Sequence, residues 1–397
     1  MILNSILDTD WYKLTMGQVV YFFFRGINVR YKFINRNNTP FPDGFDKLVQ
    51  EEVNNMVKLQ LTVDERKWLE SNPNIYPSYL DWLFSYQYDP KEVKISQKDG
   101  QLEITIEGPW ERTIYWEVPL LSIISELYHK DCKPTPEWQD IISSKGSVLE
   151  FPFADFGTRR RFSYEVQNFL VSELKGVCNN KRKPEHQYFL GTSNPHFAMK
   201  YNIPVIGTYA HEAVMAMEVI ENIEGANWTW LSKWKMVYGK HYNIALSDTL
   251  TTEYFLKQMP PVWGVLLDGI RQDSGDPIEI GNKIIKRWEE LKINPKIKKI
   301  IFSDNLTPDK AQKIYDTFKD ITNPVFGIGT NLTNDCGYPP LNMVIKMSDV
   351  FWRYVSPVTH KPDLRWIPVV KLSDDKGKYT GDINTIERIK KGLTRKT

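Results

Sequence analysis

The chain has 397 residues, 41% hydrophobic and 25% charged, ordinary globular values that exclude a disordered or fibrous polypeptide. Lys and Arg number 51 against 49 Asp and Glu, so there is no global nucleic-acid or membrane-surface footprint and an anionic ligand must be held by local cations. Cys132, Cys178 and Cys336 form no CxxC pair, which suits a reducing cytoplasm and predicts no zinc; Met1-Ile2-Leu3-Asn4-Ser5 lacks the basic character of a leader and the apolar run at 19–24 is too short to span a bilayer, so a soluble, unexported protein is expected.

Residues 10–24 read as a helix and 28–35 alternate like a strand, while 91–96 and 102–106 read as a hairpin around Lys98-Asp99-Gly100. This is an α+β region with antiparallel pairing. After Phe151, short apolar runs alternate with helical stretches, and 203–206, 265–267, 300–302 and Val325-Phe326 are the strand candidates. That rhythm predicts parallel strands with helical crossovers. Strand-like text returns at 366–372. The expected organisation is an N-terminal α+β domain over 1–147, a barrel domain over 148–346 and a C-terminal segment over 347–397 that rejoins the first domain. The basic cluster Lys181-Arg182-Lys183, beside Asn179-Asn180 and Pro184, reads as a solvated loop.

Chemistry concentrates where the second region's strands end. His211, in Gly207-Thr208-Tyr209-Ala210-His211-Glu212, sits where an apolar run breaks into a helix, the rim at which α/β sheets collect ligands. An oriented neutral imidazole there is a base or a nucleophile; a hydrogen-bonded structural histidine gives the same text. Glu212 is adjacent, but neighbouring helical residues point apart. In Arg271-Gln272-Asp273-Ser274-Gly275-Asp276-Pro277 a tight turn brings Asp273 and Asp276 together beside a planar guanidinium, a set that takes ribose hydroxyls or Mg²⁺. A surface turn with a solvated ion pair has the same composition. Gly327-Ile328-Gly329-Thr330-Asn331 offers backbone N–H groups and a hydroxyl to a phosphate. Ser303-Asp304-Asn305 supplies a second wall, or else a helix cap. Asp155-Phe156-Gly157-Thr158-Arg159-Arg160-Arg161 sets an aromatic face before three arginines, two of which are expected to face solvent.

Taken together, these motifs resemble the nicotinate phosphoribosyltransferases, within the type II phosphoribosyltransferase group, from Asp8-Thr9-Asp10-Trp11-Tyr12-Lys13 through Asn342. The resemblance implies an irregular (β/α) barrel with an α+β domain built from the N-terminal third and the C-terminal tail. It implies that Tyr12 and Phe156 sandwich a pyridine ring, that Arg159 contacts the substrate, that Arg271 lies near the pyridine carboxylate, and that Arg36, in Tyr31-Lys32-Phe33-Ile34-Asn35-Arg36, faces phosphates. Tyr12 and Arg36 are expected to come from a neighbouring subunit of a homodimer. Ser193, in Leu190-Gly191-Thr192-Ser193-Asn194, replaces the aspartate of nicotinamide enzymes and so favours the acid. The resemblance makes His211 a histidine that ATP phosphorylates. It sets Asp273 and Asp276 around ribose and Mg²⁺-pyrophosphate, and Ser303, Asp304, Gly327, Gly329 and Thr330 around the phosphoribosyl group. The chain ends at Thr397 without a cysteine-rich extension, like the shorter bacterial form. The expected activity is ATP-coupled transfer of phosphoribosyl from 5-phosphoribosyl-1-pyrophosphate to nicotinate in the cytoplasm, in NAD biosynthesis. Preference for nicotinamide, or a non-catalytic nucleotide-binding regulator on the same fold, are the alternatives. Lys346 and His241 have no assigned role.

Overall fold

The computed structural model describes residues 1–179, 188–355 and 362–394, so Lys181-Arg182-Lys183 lies outside the described residues. Its strands, in chain order, are β1 (Asn28–Asn35), β2 (Val93–Lys98), β3 (Gln101–Pro109), β4 (Phe153–Asp155), β5 (Phe189–Thr192), β6 (Ile244–Leu246), β7 (Gly269–Gln272), β8 (Lys299–Phe302), β9 (Asn323–Ile328), β10 (Met343–Val355) and β11 (Pro362–Pro368). They form two sheets, one antiparallel with the order β11-β10-β1-β3-β2 and one parallel with the order β5-β4-β9-β8-β7-β6. The fold is therefore mixed α/β.

The antiparallel sheet draws on both ends of the chain. β1 lies at its centre, pairing with β10 (Tyr31 opposite Met347) and with β3 (Tyr31 opposite Ile106). The β2–β3 hairpin turns on Asp99 (φ 49°) and Gly100 (φ 72°), two consecutive left-handed residues that match the twist of the flanking strands. The helix Trp11–Phe23, ten of whose residues are buried, packs against the helices Trp110–Thr113 and Ala226–Tyr238.

In the parallel sheet the core is aromatic: Phe302 stacks on Phe326 at 5.7 Å and on Phe318 of the helix Pro308–Phe318 at 5.6 Å. Every strand of this sheet contributes to one cavity, with Ala154, Leu190, Ile244, Arg271, Ile301 and Val325 all lining it. All six strands of the sheet therefore face one interior, although β5 and β6 at its two edges do not pair with each other. Beyond β5 the ladder continues only as a bridge from Thr192 to Val205. Between that segment and β6 a side chain spans the seam, the Tyr209 hydroxyl accepting from the Leu246 N–H at 2.9 Å.

Two expected strands are corrected. Residues 203–206 give only the Val205 bridge, because Pro204 has no N–H to donate to a ladder. Residues 265–267 fall in and just after the helix Pro261–Leu266, started by Pro260-Pro261, and the strand begins later at Gly269. Arg271 consequently lies within β7 rather than in the turn after it.

After β11 the chain turns back to the parallel sheet. Leu372 N–H donates to the Thr249 carbonyl at 2.8 Å and Asp374 N–H to Ser274 Oγ at 3.0 Å, so this segment is laid over the loops that follow β6 and β7.

Candidate active site

A cavity of about 400 Å³ opens at the carboxyl ends of the parallel strands. It gathers Phe156, Arg159 and Arg160 after β4, Ser193 after β5, His211, Arg271 and Asp273 from β7 and its exit, Ser303 after β8, and Gly327, Gly329 and Thr330 at β9. Asp10 and Tyr12, at the start of the first helix, and Lys346 of β10 complete its wall.

His211 immediately precedes the helix Glu212–Ile220 and is 2% exposed. Its Nε2 lies 3.0 Å from Asp273 Oδ2 and its Nδ1 3.0 Å from Thr249 Oγ1. Burial, then the Lys371 ammonium, push the imidazole down to about 4, so it is neutral at physiological pH. Burial opposes ionisation of Asp273, but Arg271 and the His211 contact outweigh it and hold the carboxyl well below the usual range. A carboxylate only accepts, so the ring proton sits on Nε2 and the Nδ1 lone pair accepts from the Thr249 hydroxyl. Ser303 Oγ donates to Asp273 Oδ1 at 2.6 Å, fixing the carboxylate's other face. Asp248 completes the group: its Oδ1 is buried without a hydrogen-bond partner 3.9 Å from His211 Nε2, while Oδ2 accepts from Ser274 Oγ at 2.6 Å and lies 3.2 Å from Lys371 Nζ.

At the other side of the cavity is a flat slot. Trp11 N–H donates to the Ser193 carbonyl at 2.6 Å, which draws the first helical turn, and Tyr12 with it, into the pocket. Phe156 packs against Gly327, where a Cβ would come within 2.5 Å of the ring. The Arg159 guanidinium stands 5.9 Å from the Tyr12 ring, with Asp10 Oδ2 at 3.5 Å and Glu117 Oε1 at 3.6 Å. These separations are too long for full hydrogen bonds, leaving its N–H groups for a ligand. Ser193 Oγ donates to Asp10 Oδ1 at 2.6 Å. Behind the slot Lys13, fully buried, bridges Glu117 and Glu212 at 2.7 Å each, so the partner of Glu212 is a lysine of the first helix and not its neighbour His211.

Cations rim the cavity. Burial, then Arg159 and Arg36, lower Arg160 to about 10, and burial, opposed by Glu117, with Lys371 and Arg159 adding to it, lowers Lys346 to about 8. Arg36 lies within electrostatic reach of Asp304, Arg159 and Asp273. The expectation that two of the three arginines face solvent is corrected. Arg160 lines the cavity, and Arg161 is buried in a two-pronged pair with Asp8 at 2.7 and 2.8 Å.

Further corrections concern the remaining candidates. Asp276 is exposed and caps the helix Pro277–Glu290 by accepting from Glu279 N–H at 2.8 Å, so it is not brought to Asp273; Asp248 is. Asp304 does not line the cavity, its carboxylate being taken by Lys378. Ser303-Asp304-Asn305 is not a helix cap either, since Thr307 accepts from Lys310 N–H in that role. Tyr12 lines the cavity of its own chain, held there by the Trp11–Ser193 bond, whereas Arg36 stands outside the lining with Asp304, Arg159 and Asp273 of the same chain in electrostatic reach. His241 is exposed and stays outside the wall.

Sequence reading missed Asp10, Asp248, Thr249 and Lys371. For Asp248 a signal existed: Ser247-Asp248 follows β6 as Ser303-Asp304 follows β8. Lys371 had none, being placed by the pairing of the tail over the β6 loop.

Residues 151–396 match the nicotinate phosphoribosyltransferase (NAPRTase) family, and residues 7–125 match its N-terminal domain. The chain belongs to the nicotinate phosphoribosyltransferase family. A nicotinate phosphoribosyltransferase of Desulforapulum autotrophicum is 42% identical over 99% of both chains, and one of Chromohalobacter salexigens is 40% identical over 98% of both. The crystal structure of the Porphyromonas gingivalis nicotinate phosphoribosyltransferase superposes with a TM-score of 0.92 at 37% identity, covering 99% of this chain and 100% of that one. A structure of a putative nicotinate phosphoribosyltransferase from Saccharomyces cerevisiae gives 0.90 at 32% identity, covering 99% and 98%. Among the described residues no helix is long and apolar enough to cross a membrane.

Proposed function

We propose that this chain transfers the phosphoribosyl group of 5-phosphoribosyl-1-pyrophosphate to the ring nitrogen of nicotinate, giving nicotinate mononucleotide and pyrophosphate for NAD biosynthesis in the cytoplasm, with ATP hydrolysis coupled through His211. The observation that carries this reading is the meeting, in one cavity, of an aromatic slot with a partly satisfied arginine and a neutral histidine aligned by an ionised aspartate. Tyr12 and Phe156 hold the ring, and Arg159 and Arg271 take its carboxylate. The nitrogen then lies in line with the ribose C1, and the bond to pyrophosphate breaks as the new C–N bond forms. Arg36, Arg160 and Lys346 meet the phosphates, with Gly327, Gly329 and Thr330 at the sugar phosphate. Once the Thr249 hydroxyl turns away, Nδ1 of His211 takes the terminal phosphoryl of ATP as the bond to ADP breaks, Asp273 keeps the Nε2 proton, and water later releases the phosphoryl as phosphate.

Mg²⁺ suits the carboxylates here, since Asp248 has a buried oxygen without a partner and ligand atoms of His211, Asp248 and Asp273 lie within 4.8 Å of one another. Asp248 and Asp273 would hold the ion, which when bound neutralises charge on the pyrophosphate. Pairing into a homodimer, which the family resemblance suggests, leaves each copy its own pocket. The test is pyrophosphate release by purified protein with nicotinate or nicotinamide, each with and without ATP. Release with nicotinate that ATP accelerates supports the reading; no release with nicotinate overturns it.

A further inference from the structure

Ser193 stands at the slot where the pyridine carboxylate is proposed to lie, yet its only hydroxyl proton is already committed to Asp10 at 2.6 Å. In that state the serine turns oxygen lone pairs to the ligand, which suits a carboxamide N–H and repels a carboxylate. The acid is accepted only if the bond reverses. A proton on Asp10 makes this carboxyl the donor to Ser193 Oγ and frees the serine proton for the ligand.

We infer that Asp10 and Ser193 form a proton-coupled selector: binding of an aromatic carboxylate takes up one proton from solvent at Asp10 and turns the Ser193 hydroxyl towards the ligand, whereas a carboxamide binds with Asp10 ionised and no proton taken up. This rests on the nicotinate reading above. No group is oxidised and no covalent bond to carbon changes; one solvent proton becomes the Asp10 hydroxyl proton.

The surroundings of Asp10 favour such uptake. The carboxyl is 2% exposed, lines the cavity and, among the described residues, forms its ion pair with Arg159, at 3.5 Å and shared with Glu117. The groups that face it are Arg159 from the turn after β4, Glu117 from the helix Glu117–His129, Asp155 from β4, Tyr12 from its own helix and Ser193 after β5. Burial, with Asp155 and Glu117 adding to it against Arg159 and Ser193, already pushes this carboxyl up to about 6. A ligand carboxylate that engages Arg159 removes part of its compensation and raises it further.

The experiment is titration calorimetry of nicotinate and nicotinamide binding, and steady-state KM for each, from pH 6 to 8.5 in buffers of different ionisation enthalpy. For the wild-type protein, nicotinate binding is expected to take up close to one proton above the Asp10 transition, and its KM to rise about tenfold per pH unit there, with nicotinamide showing neither. Asp10→Asn carries a permanent donor to Ser193 Oγ, so its proton uptake and the pH slope of its nicotinate KM disappear while preference for the acid persists at high pH. Ser193→Ala removes the relay and is expected to lose the uptake together with part of the acid preference. Nicotinate turnover by the wild-type protein without proton uptake overturns this inference and leaves the activity standing. Absence of any turnover with nicotinate overturns the activity and the inference together. The wild-type measurement alone decides the matter should either variant fold poorly.

Discussion

The packing around the first helix and the carboxyl ends of the parallel strands differ in what they leave unpaired. Around the helix Trp11–Phe23 the rings of Tyr21, Tyr79, Trp82, Tyr86 and Tyr115 meet at 5.0 to 6.1 Å, and Gly17 fits against them because a Cβ there would stand 2.2 Å from the Tyr115 hydroxyl. At the strand ends, charged groups keep buried atoms without hydrogen-bond partners, among them Asp248 Oδ1, Arg271 Nε and Glu117 Oε1. The first region fills its space and contributes stability through burial. The second carries desolvated charge, which costs stability and is retained for ligands.

The largest expected effect that separates the two is on chemistry. His211→Ala should abolish the dependence of product formation on ATP while leaving residual nucleotide synthesis, and Asp273→Asn should lower the ATP-dependent rate at least about a hundredfold by letting the imidazole turn. Neither should lower the melting temperature much. Unchanged ATP consumption per product in His211→Ala would remove this histidine from the account. Gly17→Ala works in the other direction, overpacking the ring cluster at about 1–3 kcal/mol in denaturant titration with KM for both substrates unchanged. Gly327→Ala touches both regions of behaviour: displacing Phe156 costs a similar ~1–3 kcal/mol and raises the nicotinate KM more than that of the sugar donor.

A smaller effect follows from pH. Burial holds the imidazole of His211 at about 4 in the folded chain, below the ordinary histidine value of 6.5, so between these values the unfolded chain binds the extra proton. The stability this provides is complete above about pH 6.5 and falls as pH drops towards 4, by at most about 1.4 kcal/mol per unit. Asp10 and Asp374, raised to about 6 by burial, act with the opposite sign in the same window. The difference between wild type and His211→Gln in urea titrations across this range isolates the histidine, and equal slopes would contradict its buried neutral state. Smallest of all, Lys283→Ala removes an exposed pair with Glu279 and should change stability by less than about 0.5 kcal/mol.

Much of the frame was legible in the sequence where local pattern and tertiary context agree. Alternation marked β1, the Asp99-Gly100 turn marked the hairpin, and apolar runs marked β8 and β9. β5 and β6, four and three residues long, are too short for periodicity to show, and Pro260-Pro261 turned an apparent strand into a helix. Within the site, residues at strand exits were readable because position there is itself a signal. Asp10, Thr249 and Lys371 were not, since each acts through a partner more than thirty residues away: Ser193, His211 and Asp248.

The central claim is that one chain alone builds the pocket, with Tyr12 and His211 in the same copy. Its most direct test is to unfold and refold Tyr12→Ala and His211→Ala together and measure ATP-dependent nicotinate mononucleotide formation. The expected activity is the mean of the two variants refolded separately. Recovery to about a quarter of wild-type activity, as sites shared between paired subunits would give, would contradict it.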